Sequence, residues 1–377
     1  MTATVPDLQS TPAAVTIPAP RRVGRTGPDE AVPLIGAALA SFALVWIVFD
    51  QLTTLNGAVG FFLCWYAAAL ALYWLTTLEL HNRQVATDRV VSVLMSTAMI
   101  AVFVAIAATL VFVIGKGMHL LSWHLLTRDQ KGVGPLSPAD AGGLGHAVIG
   151  TLQQVGIAVA MAAPAGVLTA VFLNEVGGRF TRSVRIVITA MAGVPTIVAG
   201  IFIYSLWVVG LGQGFSGFAG SLALAVVVLP SITRVTEEVL KTVDDTLREA
   251  STALGAPAWR TTFRVVLPAA RSGVITAVLL GTARAVGETA PLLVTIFGNT
   301  VYNSTPFHGP QEALPHMAYQ NIRLPLKNAI ALGFSAALVL IVIVLLLFVL
   351  ARVIGSGTVS RERFSRRRSA LSKGTIT

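Results

Sequence analysis

The stretch AIALGFSAALVLIVIVLLLFVLA, residues 329–351, holds no charged side chain and no proline. As a helix its 23 residues reach about 34 Å, enough to cross a hydrocarbon core of about 30 Å. Such a helix has no polar face to offer water, so its solvent must be apolar. Seven further runs of spanning or near-spanning length lie upstream, at 31–49, 58–78, 91–114, 147–172, 185–209, 215–231 and 273–297. The run 215–231, FSGFAGSLALAVVVLPS, is the shortest, and its ends are the least defined. Gly and Ala recur throughout, as expected where helix backbones approach closely in lipid. The expected fold is an all-α membrane protein, a polytopic bundle of about eight spans.

Composition excludes a soluble globule. Of 377 residues, 54% are hydrophobic and 12% charged, with mean hydropathy +0.76, whereas soluble proteins carry about 25% charged residues. A net charge of +10 in a soluble domain suggests nucleic acid. Here the basic residues fall in short segments between apolar runs, so topology accounts for them and no nucleic-acid partner is expected. Cys64 is the one cysteine and lies inside an apolar run. It can form no intrachain disulfide, and no Cys/His metal framework exists. Residues 1–30, rich in Pro, Thr and Ala, read as a disordered cytoplasmic N-terminus. A signal peptide is not expected, because the first apolar run is long and no small-residue cleavage site clearly follows.

Orientation follows from Lys and Arg. With the N-terminus cytoplasmic and all eight runs spanning, 21 basic residues fall inside and 5 outside, while Arg284 lies within a run. The inner set includes six residues in 231–271 and seven after 351. This asymmetry predicts a multi-pass protein with both termini cytoplasmic. The tail 352–377, with Arg361, Arg363, Arg366, Arg367 and Arg368, is placed near anionic headgroups of membrane lipid.

The inner loop 232–271 is read on the stretch TVDDTLREASTALGAPAWRTTFRVVLPAARSG, residues 242–273, which runs two residues past its end. Thr246 and Glu249 have the spacing of a capping box, which satisfies the free N–H groups of a helix start. Asp244 and Asp245 suit the positive end of the helix dipole. Gly255 supplies a left-handed stop and Pro257 prevents continuation. Between them Leu247, Ala250 and Leu254 form one narrow apolar face. Such a helix is either a docking element or a surface helix lying on headgroups.

The seventh run, GVITAVLLGTARAVGETAPLLVTIFG, places Arg284 near its midpoint and Glu288 one turn on. A charge at the bilayer centre costs roughly 2.5–3.5 kcal/mol, so each must face protein, water or an opposite charge. At i and i+4 the two can pair, giving either a structural salt bridge or an anion gate. In the gate, Arg284 offers a fork of donors to an oxyanion, and Glu288 holds the fork and limits how tightly the anion binds. Thr282, Thr289 and Thr295 could add hydroxyl donors, or bond back to their own backbone. Pro291 is expected to kink the helix. No G-x-x-x-x-G-K-[ST] phosphate loop and no H-E-x-x-H occurs, so the chain is not expected to be an enzyme, and energy comes from a partner or an ion gradient.

Three strings carry a resemblance. Glu249-Ala250-Ser251, three residues, Gly255, nine residues, then Val265-Val266-Leu267-Pro268 resembles the EAA loop of ABC-importer permeases, with Ser251 and Val265 as departures. Arg284-Ala285-Val286-Gly287-Glu288-Thr289-Ala290-Pro291-Leu292-Leu293 is similar to the signature of the PstA-type permease family of phosphate ABC importers. The sister PstC-type family usually continues with Met-Ala after G-E-T. Gly193-Val194-Pro195-Thr196-Ile197-Val198 resembles a stretch at the start of a core span, with Thr for Ser.

The resemblance implies a six-span permease core over residues 91–351, leaving 31–80 as an added N-terminal hairpin with no charged residue in either run. It implies that Glu249, Ala250 and Leu254 belong to a coupling helix that docks on an ATPase, with Gly255 making the turn. Implied partners are a PstC-like sister permease, a PstB-like ATPase dimer binding ATP and Mg, and a PstS-like extracytoplasmic phosphate-binding protein. The outer loops 115–146 and 298–328 would face that binding protein or seal the mouth of the bundle. No cofactor is implied on this chain. The implied action is alternating access for phosphate in a bacterial plasma membrane. A sister subunit or a sulfate or molybdate permease would share the loop but lack the Arg284–Pro291 string. A gradient-driven secondary transporter would need no coupling helix and should show repeats with broken helices.

Overall fold

The computed structural model describes residues 28–52, 57–134 and 136–373. Of residues 1–30, read from composition as disordered, 1–27 lie outside the described residues, as do the basic side chains after Arg352, while 28–30 are helical and open the first helix. Among the described residues there is no strand, only an isolated bridge between Phe297 and Gln311. The chain forms two compact units, Met1–Ala107 and Ala108–Thr377.

In the first unit, α1 (Pro28–Trp46) widens into a π turn over Ile47–Leu52 and is followed by α2 (Ala58–Leu80). Trp65 Nε1 donates to the Ala38 carbonyl at 2.9 Å, and Phe61 packs edge-on against both Phe42 and Phe49. Contacts that descend one helix as they ascend the other make α1 and α2 an antiparallel hairpin. Leu39, Leu44, Phe62 and Leu63 stay exposed, which a lipid-facing surface permits. α3 (Arg83–Gly117) is longer than the run 91–114 and crosses the unit boundary.

The second unit contains α4 (Trp123–Thr127), α5 (Gly145–Val171), α6 (Thr181–Gly193), α7 (Thr196–Ile203), α8 (Gly217–Lys241), α9 (Asp245–Ala253), α10 (Ala258–Thr261), α11 (Leu267–Gly287), α12 (Leu292–Thr295), α13 (Leu314–Arg323) and α14 (Lys327–Lys373). Its core runs along the bundle. Val155, Ala158 and Ala162 of α5 meet Leu224, Val228 and Ile232 of α8 and Ala285 and Val286 of α11. One end is closed by Ala170, Val171, Leu240, Val266 and Ala270, and it carries α9. The other end is closed by Leu125, Leu144, Leu314, Met317 and Ala336. There a buried polar network joins Gln154 to Gln311 at 3.0 Å and the Leu314 N–H to Thr151 at 2.8 Å.

Among the described residues, seven helices are long and apolar enough to cross a membrane, with an eighth if the bent pair of α6 and α7 is one span. The run 185–209 is therefore not a straight span: its helices meet at 102°. Pro195 lacks an N–H and forces Val194 into extended backbone, at φ −71° and ψ 129°. α5 ends beside α9, and α8 begins where Ser216 and Phe218 donate to Thr295 and Pro306. The bent pair thus carries the chain from one end back to the other as a single traverse. Arg185 of α6 anchors it to Glu237 of α8 at 2.7 Å.

Two further boundaries differ from expectation. The sixth run does not stop at 231, because α8 continues through Pro230 to Lys241. One lost backbone bond at Pro230 is outweighed by burial of Ile232, Thr233, Thr236 and Leu240. The seventh run is not one helix kinked at Pro291. α11 ends at Gly287, Glu288 is extended at φ −75° and ψ 121°, and Pro291 starts the separate turn of α12.

Candidate functional site

Arg284 lies in the last turn of α11, where a cation complements the negative end of the helix dipole. Its Nε donates to Glu288 Oε1 at 3.2 Å and its Nη1 to Ser231 Oγ at 3.0 Å. The expected i, i+4 pair is therefore formed, because the chain leaves the helix just after Gly287 and swings the Glu288 carboxylate back. The Arg284 side chain is 50% exposed and that of Glu288 17%. What Arg284 faces is a cavity of about 270 Å³ lined by α6, α7 and α8, including Met191, Thr196, Phe202, Val226 and Ser231. Ser231 stands roughly 21 Å along α8 from Gly217 and about 15 Å from Lys241, so the guanidinium opens between the two ends of the bundle.

The threonines divide. Thr282 donates to the Val278 carbonyl and Thr295 to the Pro291 carbonyl, both at 2.8 Å, so their protons serve the backbone. The carbonyl of half-buried Thr289 accepts from the Leu292 and Leu293 N–H groups at 3.1 and 3.2 Å and opens α12. Ser231, which sequence reading did not single out, and Thr196, noted there only as a Thr-for-Ser departure, supply the hydroxyls at the cavity. Ser231 follows the Pro230 that sequence reading took as nearly the end of a span, and nothing in the sequence ties it to an arginine 53 positions away.

At the α9 end, the helix cap differs from the capping box. Asp244 is the N-cap, accepting the Thr246 N–H at 3.0 Å, so Thr246 sits inside the helix. The Thr246 backbone N–H, then its hydroxyl, hold the Asp244 carboxyl below the usual carboxylate range. Asp wins because its short carboxylate reaches the second N–H while favouring the positive dipole end. Gly255 is left-handed at φ 77°, and Pro257 opens α10. Leu247, Glu249 and Ala250 are exposed, and Leu254 is 89% exposed. The apolar face of α9 therefore points away from the bundle, beside exposed Trp259 and Phe263.

What fixes α9 is Arg248, also missed in the sequence. Its Nη2 and Nε donate to the two carboxylate oxygens of Glu175, at 2.9 and 3.3 Å, just beyond α5. Nη1 reaches Asp245 and the Val243 carbonyl at 2.8 Å, and Nη2 the Leu240 carbonyl at 3.0 Å. The Glu175 hydrogen bond, foremost, raises the pKa of Arg248 above its ordinary value. Ser251 bonds Thr261 at 2.9 Å, tying α9 to α10.

Residues 162–359 match the family described as binding-protein-dependent transport system inner membrane component. Phosphate transport system permease protein PstA 1 of Mycobacterium tuberculosis (strain ATCC 25618 / H37Rv) is 40% identical over 66% of this chain and 80% of its own length. PstA of Mycobacterium leprae is 39% identical over 68% of this chain and 84% of that protein. PstA of Pasteurella multocida is 34% identical over 63% and 88%. Among solved structures, the MetNI methionine ABC transporter is similar at a TM-score of 0.45 and 22% identity, over 56% of this chain and 92% of that one. The chain is a multi-pass inner-membrane permease of the binding-protein-dependent transport family and, within it, belongs with the PstA-type permeases.

Proposed function

We propose that this chain is one of the two permease subunits of an ATP-driven phosphate importer. The observation that carries this reading is the half-exposed Arg284 guanidinium, set in the wall of an otherwise largely apolar cavity partway through the bundle. A guanidinium there offers a planar fork that matches two oxygens of a tetrahedral oxyanion. Low-dielectric surroundings strengthen that attraction, while Glu288 holds the fork and competes with the anion. The cavity volume of about 270 Å³ exceeds the share of several waters, about 30 Å³ each, so a partly hydrated oxyanion fits. The names of the relatives, all phosphate transport permeases, agree with that chemistry.

The energy source lies on other chains. The exposed apolar face of α9, flanked by Glu249 and the Gly255 turn, is the docking element for a PstB-like ATPase dimer that binds ATP and Mg. A PstC-like subunit forms the other half of the pathway, and a PstS-like protein delivers phosphate to the end carrying 298–312. Closure of the ATPase on ATP pushes α9 and switches which face of the paired pore is open. The protein sits in the bacterial plasma membrane with the α9 end and both termini in the cytoplasm.

Proteoliposomes holding this chain with its sister permease, ATPase and binding protein test the reading. Phosphate uptake should require ATP on the α9 side and resist excess sulfate or molybdate. Uptake driven by an ion gradient without ATP would establish a secondary transporter instead. Preferential uptake of sulfate or molybdate would reassign the substrate.

A further inference from the structure

Arg248 is joined to three elements at once. It starts on α9, grips both carboxylate oxygens of Glu175 just beyond α5, and holds the Leu240 carbonyl in the last turn of α8 and the Val243 carbonyl just past it. Glu175 is 7% exposed and Arg248 22%. A charge this far from water, held bidentately, fixes geometry in a way a flexible surface pair does not. The pairing with Asp245 differs in kind, since it stays within α9 and its carboxylate is 87% exposed.

The grip on α8 leads to the cavity. From Leu240 to Ser231 is about 13 Å along one uninterrupted helix, and Ser231 holds Arg284 Nη1 at 3.0 Å. A helix of this kind, packed against α5 and α11 through Val228 and Ile232, moves as a rod. Displacement of α9 therefore arrives at the Arg284 contact only if α9 cannot slip against the ends of α5 and α8. Among the described residues, the Ser251–Thr261 hydroxyl pair also ties α9 to α10, without charge.

We propose that Arg248 is the positioning residue that locks α9 to the ends of α5 and α8, so that a push on α9 reaches the Arg284–Ser231 contact. The inference rests on α9 being the ATPase-docking helix. It assigns Arg248 and Glu175 to the joint, as distinct from the exposed residues that face the partner. Physical coupling of this sort needs an element with a measurable effect on both sites, not mere adjacency.

The test uses the full complex in proteoliposomes, recording phosphate taken up per ATP hydrolysed and a crosslink from Glu249→Cys to the ATPase. Glu175→Gln removes the charge and one of the two acceptors of the joint but leaves the carbonyl bonds of Arg248 in place. Docking should persist, with the crosslink formed, while uptake per ATP falls about tenfold. Arg248→Lys keeps the charge but cannot bridge both carboxylate oxygens and two carbonyls, and should fall severalfold. Asp245→Asn, which touches only the pairing within α9, should stay within twofold of wild type. Crosslinked complexes of Glu175→Gln and Arg248→Lys with unaltered uptake per ATP would overturn the joint alone. An equal loss in Asp245→Asn would overturn it too, pointing to general weakening of α9. If Glu249→Cys with Glu175 and Arg248 intact never reaches the ATPase, the docking reading fails and the joint with it. Should Glu175→Gln fail to assemble, Arg248→Lys decides on the same readouts.

Discussion

Arg284 contacts Glu288 and Ser231 while keeping half its side chain open to the cavity. An ion pair with a half-exposed partner contributes at most about 1 kcal/mol. Stability is thus a weak reason to hold two charges within an apolar bundle, and the proposed role toward an anion gives them another. Glu288→Gln removes the competing carboxylate, so phosphate should bind more tightly and leave more slowly. In uptake kinetics, KM and the maximal rate should both fall, by about threefold or more; an unchanged KM would contradict the competition. At the α9 end, Gly255 is left-handed, and Gly255→Val should cost about 1–2 kcal/mol there. The cap gives a pH signature. Asp244 has a depressed carboxyl, so its contribution is complete above the unfolded carboxylate range and fades as pH falls through the lowered folded value. Protection factors of the α9 amides, taken relative to intrinsic exchange at each pH, should therefore fall in acid, and Asp244→Ala should lower them at neutral pH.

At the scale of elements, the bend between α6 and α7 builds the cavity, and α7 is held against the start of α12. A Cβ added at Gly200 would lie 2.7 Å from Pro291 Cα. Gly200→Ala should force the two apart at a cost of about 1–3 kcal/mol, lowering the thermal midpoint of the purified protein. A midpoint unchanged from wild type would contradict the close approach. Much of this scale was legible in the sequence and some was not. Apolar runs showed where helices lie, and the i, i+4 spacing of Arg284 and Glu288 anticipated their pairing, because both signals are local. The breaks at Val194–Pro195 and after Gly287 were not read, since proline alone does not say whether a helix kinks, ends or continues. Pro230 sits inside α8, Pro195 precedes α7, and Pro291 opens α12. Tertiary packing decides among the three. Partners far apart in sequence were equally hidden: Ser231 lies 53 positions from Arg284, and Glu175 lies 73 from Arg248.

Across the whole molecule, Arg248 of the loop helix holds the Leu240 carbonyl of α8, and Ser231 of α8 holds Arg284 partway through the bundle. The bent pair counts as one traverse, so α5 and α8 end on the same side as α9, as the Glu175–Arg248 pair requires. The sequence expectation of 21 of the 27 basic residues on one side is the reason this end is proposed to be cytoplasmic. In a Cys64→Ser background, Glu249→Cys should label only from the cytosol and Asn303→Cys only from outside. The opposite pattern would invert the topology and remove α9 from the reach of ATP. The most direct measurement of the central claim is ATP-driven phosphate uptake by the reconstituted complex carrying Arg284→Gln. The account predicts at least a tenfold loss, about 1.4 kcal/mol of interaction with the anion, while the Glu249→Cys crosslink to the ATPase persists. Uptake equal to wild type in that complex would contradict the anion role of Arg284.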